Sequence, residues 1–269
     1  MKRPKPIASR HAADRVEQYL RAAAAGNVKR VRQLLDAGVD VNARLKGGNA
    51  LIFASRYGHT RVVQLLLERG ADPSTNTRTG KYAGNTLPLH ALALAAEHGH
   101  LAIVRMLIRA GAEVNHSMTF DQDALCAAAR GGHTEVVREL LAAGHQIDDG
   151  VGAKALGAAI NWSTKQGAAL LLIKAGVKVD GEAGAKLLMW AAQERMVSTV
   201  KALLDAGADP TLKNGLGRSA LAGLNWLRHH EIAVKGREII PHASERIRQI
   251  VSDAVASKRR RTRPSPERS

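Results

Sequence analysis

The sequence predicts an all-α solenoid of about seven stacked helix–turn–helix repeats. The main observation is an aliphatic segment that recurs along the 269 residues and ends each time in a glycine. Spacings of 32, 41, 33, 32 and 31 residues separate these closing glycines, which are Gly38, Gly70, Gly111, Gly144, Gly176 and Gly207. A period of about 33 residues with two helices per period is typical of helical repeat arrays. Hydrophobic residues make up 45% of the chain but aromatic residues only 3%, which suits closely packed helices of small aliphatic residues.

Residues 47–73 show why each repeat should fold as two helices. Asn49 is placed to cap the first helix, because its side chain accepts a hydrogen bond from an unpaired backbone N–H. Gly58 permits the positive φ of the turn between the helices. The second helix takes its apolar face from residues 62–67, and Gly70 ends it.

The later repeats depart from this pattern at the start of the first helix. Asp123 and Ser219 occupy the cap position in the fourth and seventh repeats, whereas Lys154 and Lys186 occupy it in the fifth and sixth. We therefore expect the fifth and sixth repeats to begin irregularly.

The spacing of 41 residues marks an insertion of about eight residues between Asn76 and His90. It falls in the loop that connects one repeat to the next, called here the finger. Thr86 is expected to cap the helix that follows, with Pro88 in its first turn, where proline is tolerated. That helix would then be one turn longer than its neighbours. A surface loop without regular structure is the alternative for the insertion.

The two ends of the chain carry most of the excess positive charge. The net charge is +16, and Lys2, Arg3, Lys5 and Arg10 lie before the first repeat. We expect a basic arm over residues 1–13, a repeat domain over 14–256 and a basic disordered tail over 257–269. A helix over Ser244–Ala256 is expected to cap the repeat domain, because its apolar residues recur at helical spacing.

The recurring segments resemble ankyrin repeats. YGHTRVVQLLLERGADP, HGHLAIVRMLIRAGAEVN and GGHTEVVRELLAAG are similar to the second half of that repeat, and NALIFASRYGH, ALALAAEHGH and ALCAAARGGH to the first half. The resemblance covers about residues 14 to 228 and is strongest in the second to fourth repeats. It implies an ankyrin-repeat solenoid that binds a partner protein through a concave face of finger tips and first helices.

Mapping that face onto each repeat gives a set of exposed aromatic and charged residues, the types that anchor protein interfaces. Five of the chain's eight aromatic residues fall in the set, although large aromatics are also often buried packing residues. Trp190 lies one position deeper and is expected in the core. The expected partner-binding residues are Lys46, Arg56, Tyr57, Tyr82, His98, Phe120, Arg130, Trp162, Arg218 and Trp226.

Catalytic and metal-binding functions find no support in the sequence. Two G-x-G-x-x-A stretches, Gly150–Ala155 and Gly215–Ala220, lie in fingers and lack the preceding strand of a dinucleotide site. The three histidines that follow turn glycines recur once per repeat, too far apart to share a metal. We expect these residues, His59, His100 and His133, to make turn hydrogen bonds, and Cys126 to be a core residue. The predictions are therefore no enzyme activity, no cofactor and no metal.

The alternative function is binding of nucleic acid or another anionic surface through the basic tail. Five cations could each neutralise a phosphate, namely Lys258, Arg259, Arg260, Arg261 and Arg263. Such a run is also typical of a nuclear localisation signal or of a solvated tail. The partner is otherwise expected to be a protein, for which an acidic surface would suit the basic chain. With no secretory signal, no apolar run long enough to span a membrane and one cysteine, we expect a cytoplasmic monomer, or a nuclear protein in a eukaryotic cell.

Overall fold

The computed structural model describes residues 7–45, 48–76, 90–115, 123–147, 150–163, 165–213, 219 and 241–261. They divide into two compact units, Met1–Gln146 and Ile147–Ser269, called here the N-terminal unit and the C-terminal unit. Within the described residues, regular structure is helical apart from one short antiparallel ribbon, β1 (Arg44–Leu45) with β2 (Gly48–Asn49).

The described part of the N-terminal unit consists of four consecutive helix pairs, each pair being one repeat. The first helices of neighbouring repeats pack on one another, and so do the second helices. The pairs are α1 (Ile7–Ala24) with α2 (Val28–Asp36), α3 (Ala50–Arg56) with α4 (Thr60–Glu68), α5 (Ala91–Glu97) with α6 (Leu101–Arg109), and α7 (Ala124–Arg130) with α8 (Thr134–Ala142). The helix α1 begins inside the arm predicted over residues 1–13, because the sequence from Ile7 continues without a helix breaker.

The first helices α3, α5 and α7 are almost completely buried. In each of them the first six residues are buried, and only the seventh residue is partly exposed. Small residues permit this burial, since alanines occupy half or more of the positions in α5 and α7 and let neighbouring helices approach closely. The side chains that these first helices display are therefore concentrated at their carboxyl ends.

The predicted caps and turns are confirmed where the structure describes them. The Asn49 side chain accepts from the backbone N–H of Ile52, and the Asp123 side chain accepts from those of Leu125 and Cys126. All six closing glycines and Gly58 have positive φ. Cys126 is buried, as expected.

The predicted extra turn before α5 is wrong. This helix begins at Ala91 and is seven residues long, like α3 and α7. His90 precedes it in an extended conformation and makes a bridge to Asn76. The finger therefore returns in the same register as in other repeats, so the insertion is absorbed before the helix. Thr86 and Pro88 lie outside the described residues.

In the residues that the structure describes, the C-terminal unit contains two helix pairs and a long final helix. The pairs are α9 (Val151–Trp162) with α10 (Gly167–Lys174) and α11 (Gly181–Gln193) with α12 (Val197–Asp205), and the final helix is α13 (Pro241–Arg261). As expected, the repeats with Lys154 and Lys186 begin irregularly: α9 and α11 start before these lysines and have no side-chain cap.

The expected capping helix is present but longer than predicted. In α13, Ile247 and Val251 are fully buried, and the helix packs on α12. It continues through Arg261, so assigning residues 257–261 to a disordered tail is wrong. Lysine and arginine are good helix formers, and their positive charge favours the carboxyl end of a helix.

Candidate protein-binding surface

The carboxyl ends of the first helices form the candidate site. In the N-terminal unit they display Arg56 and Tyr57 at the end of α3, Glu97 and His98 at the end of α5, and Arg130 at the end of α7. We call these five residues the helix-end surface. Their positions follow from the burial of everything earlier in each helix, which leaves only the last turn accessible.

Arg56 and Tyr57 form an aromatic and cationic pair. The Arg56 guanidinium carbon lies 5.9 Å from the centroid of the Tyr57 ring, within the range of a cation–π contact. The Tyr57 side chain nevertheless remains 52% exposed. An exposed aromatic ring held by an arginine matches the residue types that anchor protein interfaces.

Glu97, His98 and Arg130 lie on the next two repeats. The Glu97 carboxylate lies 3.9 Å from the Arg130 guanidinium, and the solvent exposure of this pair limits its contribution to stability. Nδ1 of His98 donates to the carbonyl oxygen of Leu94 at 2.9 Å, which fixes the ring orientation. The His98 ring also stacks on His100, with 6.0 Å between the ring centroids.

The three turn histidines connect neighbouring repeats, which confirms the predicted hydrogen-bonding role. In each case Nε2 donates to a backbone carbonyl oxygen at the end of the preceding first helix. The bonds run from His59 to Ala24 at 2.8 Å, from His100 to Arg56 at 3.2 Å and from His133 to Glu97 at 3.0 Å. These histidines therefore hold the helix-end surface in place, since two of the acceptors belong to its own residues.

The burial of His100 predicts that the N-terminal unit loses stability as the solution is acidified. Burial lowers the pKa of His100 below its ordinary value of 6.5, and the nearby His98 and His59 act in the same direction, although the bond to the Arg56 carbonyl opposes the shift. The unfolded chain therefore takes up the proton at a higher pH than the folded chain. The stabilising contribution is complete above the unfolded value and is lost as pH falls through the folded value.

Urea unfolding measured between about pH 7.5 and pH 5 checks this expectation. The His100→Gln variant should show a flatter dependence of the urea midpoint on pH than the wild type. Parallel profiles for the two proteins would show that His100 does not contribute.

Among its described residues, the C-terminal unit has one largely exposed tryptophan and a second that is partly exposed. Trp162, the last residue of α9, is 73% exposed. The expectation that Trp190 belongs to the core is wrong, because it is partly exposed on α11. Its ring lies on the α9 backbone at Gly157, where a Cβ atom would stand 3.1 Å from Cζ3 of the indole. The ammonium of Lys186 lies 4.7 Å from the ring centroid.

The predicted tail residues are partly engaged by the fold. The ammonium of Lys258 donates to the carboxylate of Asp209, in the finger that follows α12. Burial raises the pKa of Asp209, but hydrogen bonds from Lys258 and Thr211 outweigh it and leave the pKa below its ordinary value. Arg260 is exposed near the end of α13, and the same helix includes Arg259 and Arg261.

Several predicted site residues cannot be placed. They lie outside the described residues and stay predictions: Lys46, Tyr82, Phe120, Arg218, Trp226 and Arg263.

A buried contact between a histidine and an aspartate in the fourth repeat was not anticipated from the sequence. Nε2 of His145 lies 2.9 Å from Oδ2 of Asp123, and both side chains are only 2% exposed. The other ring nitrogen of His145 lies 3.0 Å from the carbonyl oxygen of Gln146. The available signal is that His145 occupies the position after the closing glycine, where Ala71, Ala112 and Ala208 stand in other repeats.

The described part of the chain also bears on metal binding and membrane insertion. No three His, Cys, Asp or Glu side chains come together there as a metal site. None of the helices in those ranges combines the length and apolar composition needed to cross a membrane.

Comparison with known proteins gives consistent matches. The model of ankyrin repeats in three copies matches residues 18–79 and 92–183, and the model of the single ankyrin repeat matches residues 184–215, together more than half of the chain. The crystal structure of the human ASB11 ankyrin repeat domain is similar, with a TM-score of 0.68 and 25% identity over 88% of this chain and 96% of that one.

Shorter matches occur among curated proteins. Cyclin-dependent kinase 4 inhibitor B of Bos taurus is 51% identical over 53 residues, which are 20% of this chain and 40% of the relative. Ankyrin repeat domain-containing protein 40 of Mus musculus is 37% identical over 67 residues, 24% of this chain and 18% of the relative. The matches thus span less than half the length of these relatives.

Proposed function

We propose, because this chain belongs to the ankyrin-repeat family, that it is a non-catalytic scaffold that binds another protein through the ends of its first helices. The observation that carries the proposal is the burial pattern of those helices. Their first six residues are buried in α3, α5 and α7, so a partner would meet the residues that follow. Among these are Arg56, Tyr57, His98 and Arg130, with Trp162 at the end of α9 in the C-terminal unit.

The residue types support a protein as the partner. Tyrosine, tryptophan and arginine are the residues that most often dominate the binding energy of protein interfaces. The net charge of +16 favours a partner with an acidic surface. The name of the relative cyclin-dependent kinase 4 inhibitor B says that it acts on a kinase, which is itself a protein.

A capture experiment from nuclease-treated lysate of the source cells tests the proposal. The site variant combines Arg56→Ala, Tyr57→Ala, Arg130→Ala and Trp162→Ala, and we expect it to recover at least about tenfold less partner than the wild type. Its circular dichroism should match that of the wild type, because all four side chains are exposed or half-buried. Equal recovery by both proteins would rule out this surface.

A tail variant is the matched control in the same experiment. It replaces four arginines by glutamine, which removes tail charge while keeping the Lys258–Asp209 contact. The replaced residues are Arg259, Arg260, Arg261 and Arg263. We expect recovery at the wild-type level, and loss of recovery here alone would assign binding to the tail.

Nucleic-acid binding through the end of α13 is the second candidate. Its support is the run of cations at the end of α13, where Arg260 is exposed. Against it, the Lys258 ammonium already donates to Asp209, and the negative charge of that carboxylate opposes a phosphate at this position. Anisotropy titration of a labelled DNA duplex at low salt decides, since no measurable binding there would exclude this function.

A further inference from the structure

The further inference concerns the face of the C-terminal unit formed by α9 and α11. Lys154, Ala158 and Trp162 are four residues apart on α9, and Lys186, Trp190 and Glu194 are four residues apart on or just after α11. Side chains at this spacing lie on one face of a helix. All six are exposed or half-buried, and the two helices pack side by side. We call these six residues the tryptophan face.

Trp190 is held in a fixed position between the two helices. One side of its ring lies on the α9 backbone, because Gly157 has no side chain to keep it away. The Lys186 ammonium, 4.7 Å from the ring centroid, holds it further. The ring therefore loses little conformational freedom when a ligand covers it, which favours binding.

Trp162 presents a larger apolar surface in the same unit. Its exposure of 73% exceeds that of Tyr57 and Leu212, the other large hydrophobic residues exposed in the described ranges. A tryptophan side chain contributes on the order of 150–250 Å² of contact area when it is covered. A half-exposed and a largely exposed tryptophan in one unit indicate a surface that gains from being covered.

The charges around these rings select the partner. From residue 151 to residue 173 the only charged side chains are Lys154 and Lys165, and Lys186 adds a third positive charge beside Trp190. We propose that the tryptophan face binds an acidic peptide segment of the partner, in which carboxylates meet these lysines and an aromatic or aliphatic side chain covers the Trp162 ring. This inference rests on the proposed function and specifies the partner's chemistry.

A single-stranded nucleic acid is less compatible with this face than an acidic peptide. Stacking of successive bases requires open aromatic rings, yet the Gly157 backbone and the Lys186 ammonium already lie against the Trp190 ring. Glu182 and Glu194, on and beside α11, would repel a phosphate and a peptide carboxylate alike, so only the covered Trp190 ring distinguishes the two ligands.

Selection from a library of short random peptides displayed on phage tests the proposal directly. Against the wild-type chain we expect enrichment of peptides with Asp or Glu flanking an aromatic or aliphatic residue. An enriched peptide that lacks tryptophan is then titrated while the fluorescence of the protein's own tryptophans is recorded. We expect the emission to change, because the peptide covers Trp162.

Three variants give the test its specificity. Trp162→Ala and Lys186→Glu should each weaken binding of the enriched peptide, raising its Kd by about tenfold or more. Lys201→Glu makes the same charge change on the exposed side of α12. It should raise the Kd of the peptide by less than about twofold. Equal losses for Lys186→Glu and Lys201→Glu would overturn the proposal, since binding would then follow net charge alone.

The remaining outcomes separate this inference from the proposed function. Enrichment of non-acidic peptides, no enrichment, or tighter binding of single-stranded oligo-dT than of the enriched peptide would overturn the tryptophan face as an acidic-peptide site. The proposed function survives each of these outcomes if the wild type still captures a partner that the site variant does not. If neither protein captures a partner while the acidic peptides bind at Trp162, the broader function fails and the peptide site remains.

Discussion

Replacing Asp123 with Ala is expected to lower the free energy of unfolding of the N-terminal unit by about 3–5 kcal/mol. The Asp123 carboxylate accepts hydrogen bonds from the backbone N–H groups of Leu125 and Cys126 at the start of α7. Its second oxygen lies 2.9 Å from His145, and both side chains are almost completely buried. The alanine variant leaves two N–H groups and a buried imidazole without these partners.

Urea unfolding followed by circular dichroism measures this loss. Tryptophan fluorescence recorded in parallel reports the C-terminal unit alone, because Trp162, Trp190 and Trp226 all follow residue 146. We expect the fluorescence transition to change less than the circular dichroism transition. A loss below about 1 kcal/mol would contradict the importance of this pair.

His145→Ala and the double variant separate the cap from the contact with His145. Alanine occupies the position of His145 in three other repeats, so its backbone conformation is compatible. His145→Ala should be milder than Asp123→Ala, because Asp123 keeps both cap bonds. The double variant should lose less stability than the sum of the two single losses, since it removes the buried polar partner that each single variant leaves behind.

Replacing Gly99 with Ala should lower the free energy of unfolding by about 2–4 kcal/mol, the second-largest effect on stability expected here. Gly99 has a φ of +73°, a conformation in which a side chain is strained, and an added Cβ would stand 2.4 Å from Nδ1 of His133. His133 cannot move freely, because its other ring nitrogen donates to the carbonyl oxygen of Glu97. The variant must therefore lose this hydrogen bond or separate α5 from α7.

Gly111→Ala is the matched control for backbone strain. Gly111 also has a positive φ, +91°, but an added Cβ would meet no atom within 4 Å. Its loss of stability should be about 1–2 kcal/mol, the cost of the left-handed conformation alone. Equal losses in the two variants, measured as shifts in the urea midpoint, would show that the contact between repeats contributes nothing.

The regular repeats could be predicted from sequence because their signals are local. Gly58, Gly70 and the N-cap Asn49 act within a few residues of themselves, so recurrence at one period was enough to locate helices and turns. The exposure of Tyr57 and Trp162 also followed from the repeat register. Trp190 did not, because its position depends on the missing side chain of Gly157 on another helix.

The remaining differences come from contacts between distant residues and from weak helix signals. Asp123 was predicted as a cap, but its pairing with His145 joins residues 22 apart, and no local pattern reports it. The residues after Ala256 were predicted to form a charged tail. In the structure, the basic residues through Arg261 continue α13, which packs on α12. From the sequence, Thr86 was predicted to cap the helix after the insertion. In the structure, the pairing of Asn76 with His90 determines where α5 begins.

The recurring contact between a turn glycine and the histidine of the following repeat has an evolutionary consequence. Gly26 meets His59, Gly58 meets His100 and Gly99 meets His133, so these junctions of the N-terminal unit use the same connector. A recombination event that duplicated or deleted one whole repeat would again place a turn glycine against the histidine of the next repeat. In the C-terminal unit, Arg195 and Met196 stand at the corresponding positions after α11. Exchange of one whole repeat within the N-terminal unit therefore keeps the glycine–histidine contact, whereas an exchange that includes the sixth repeat does not.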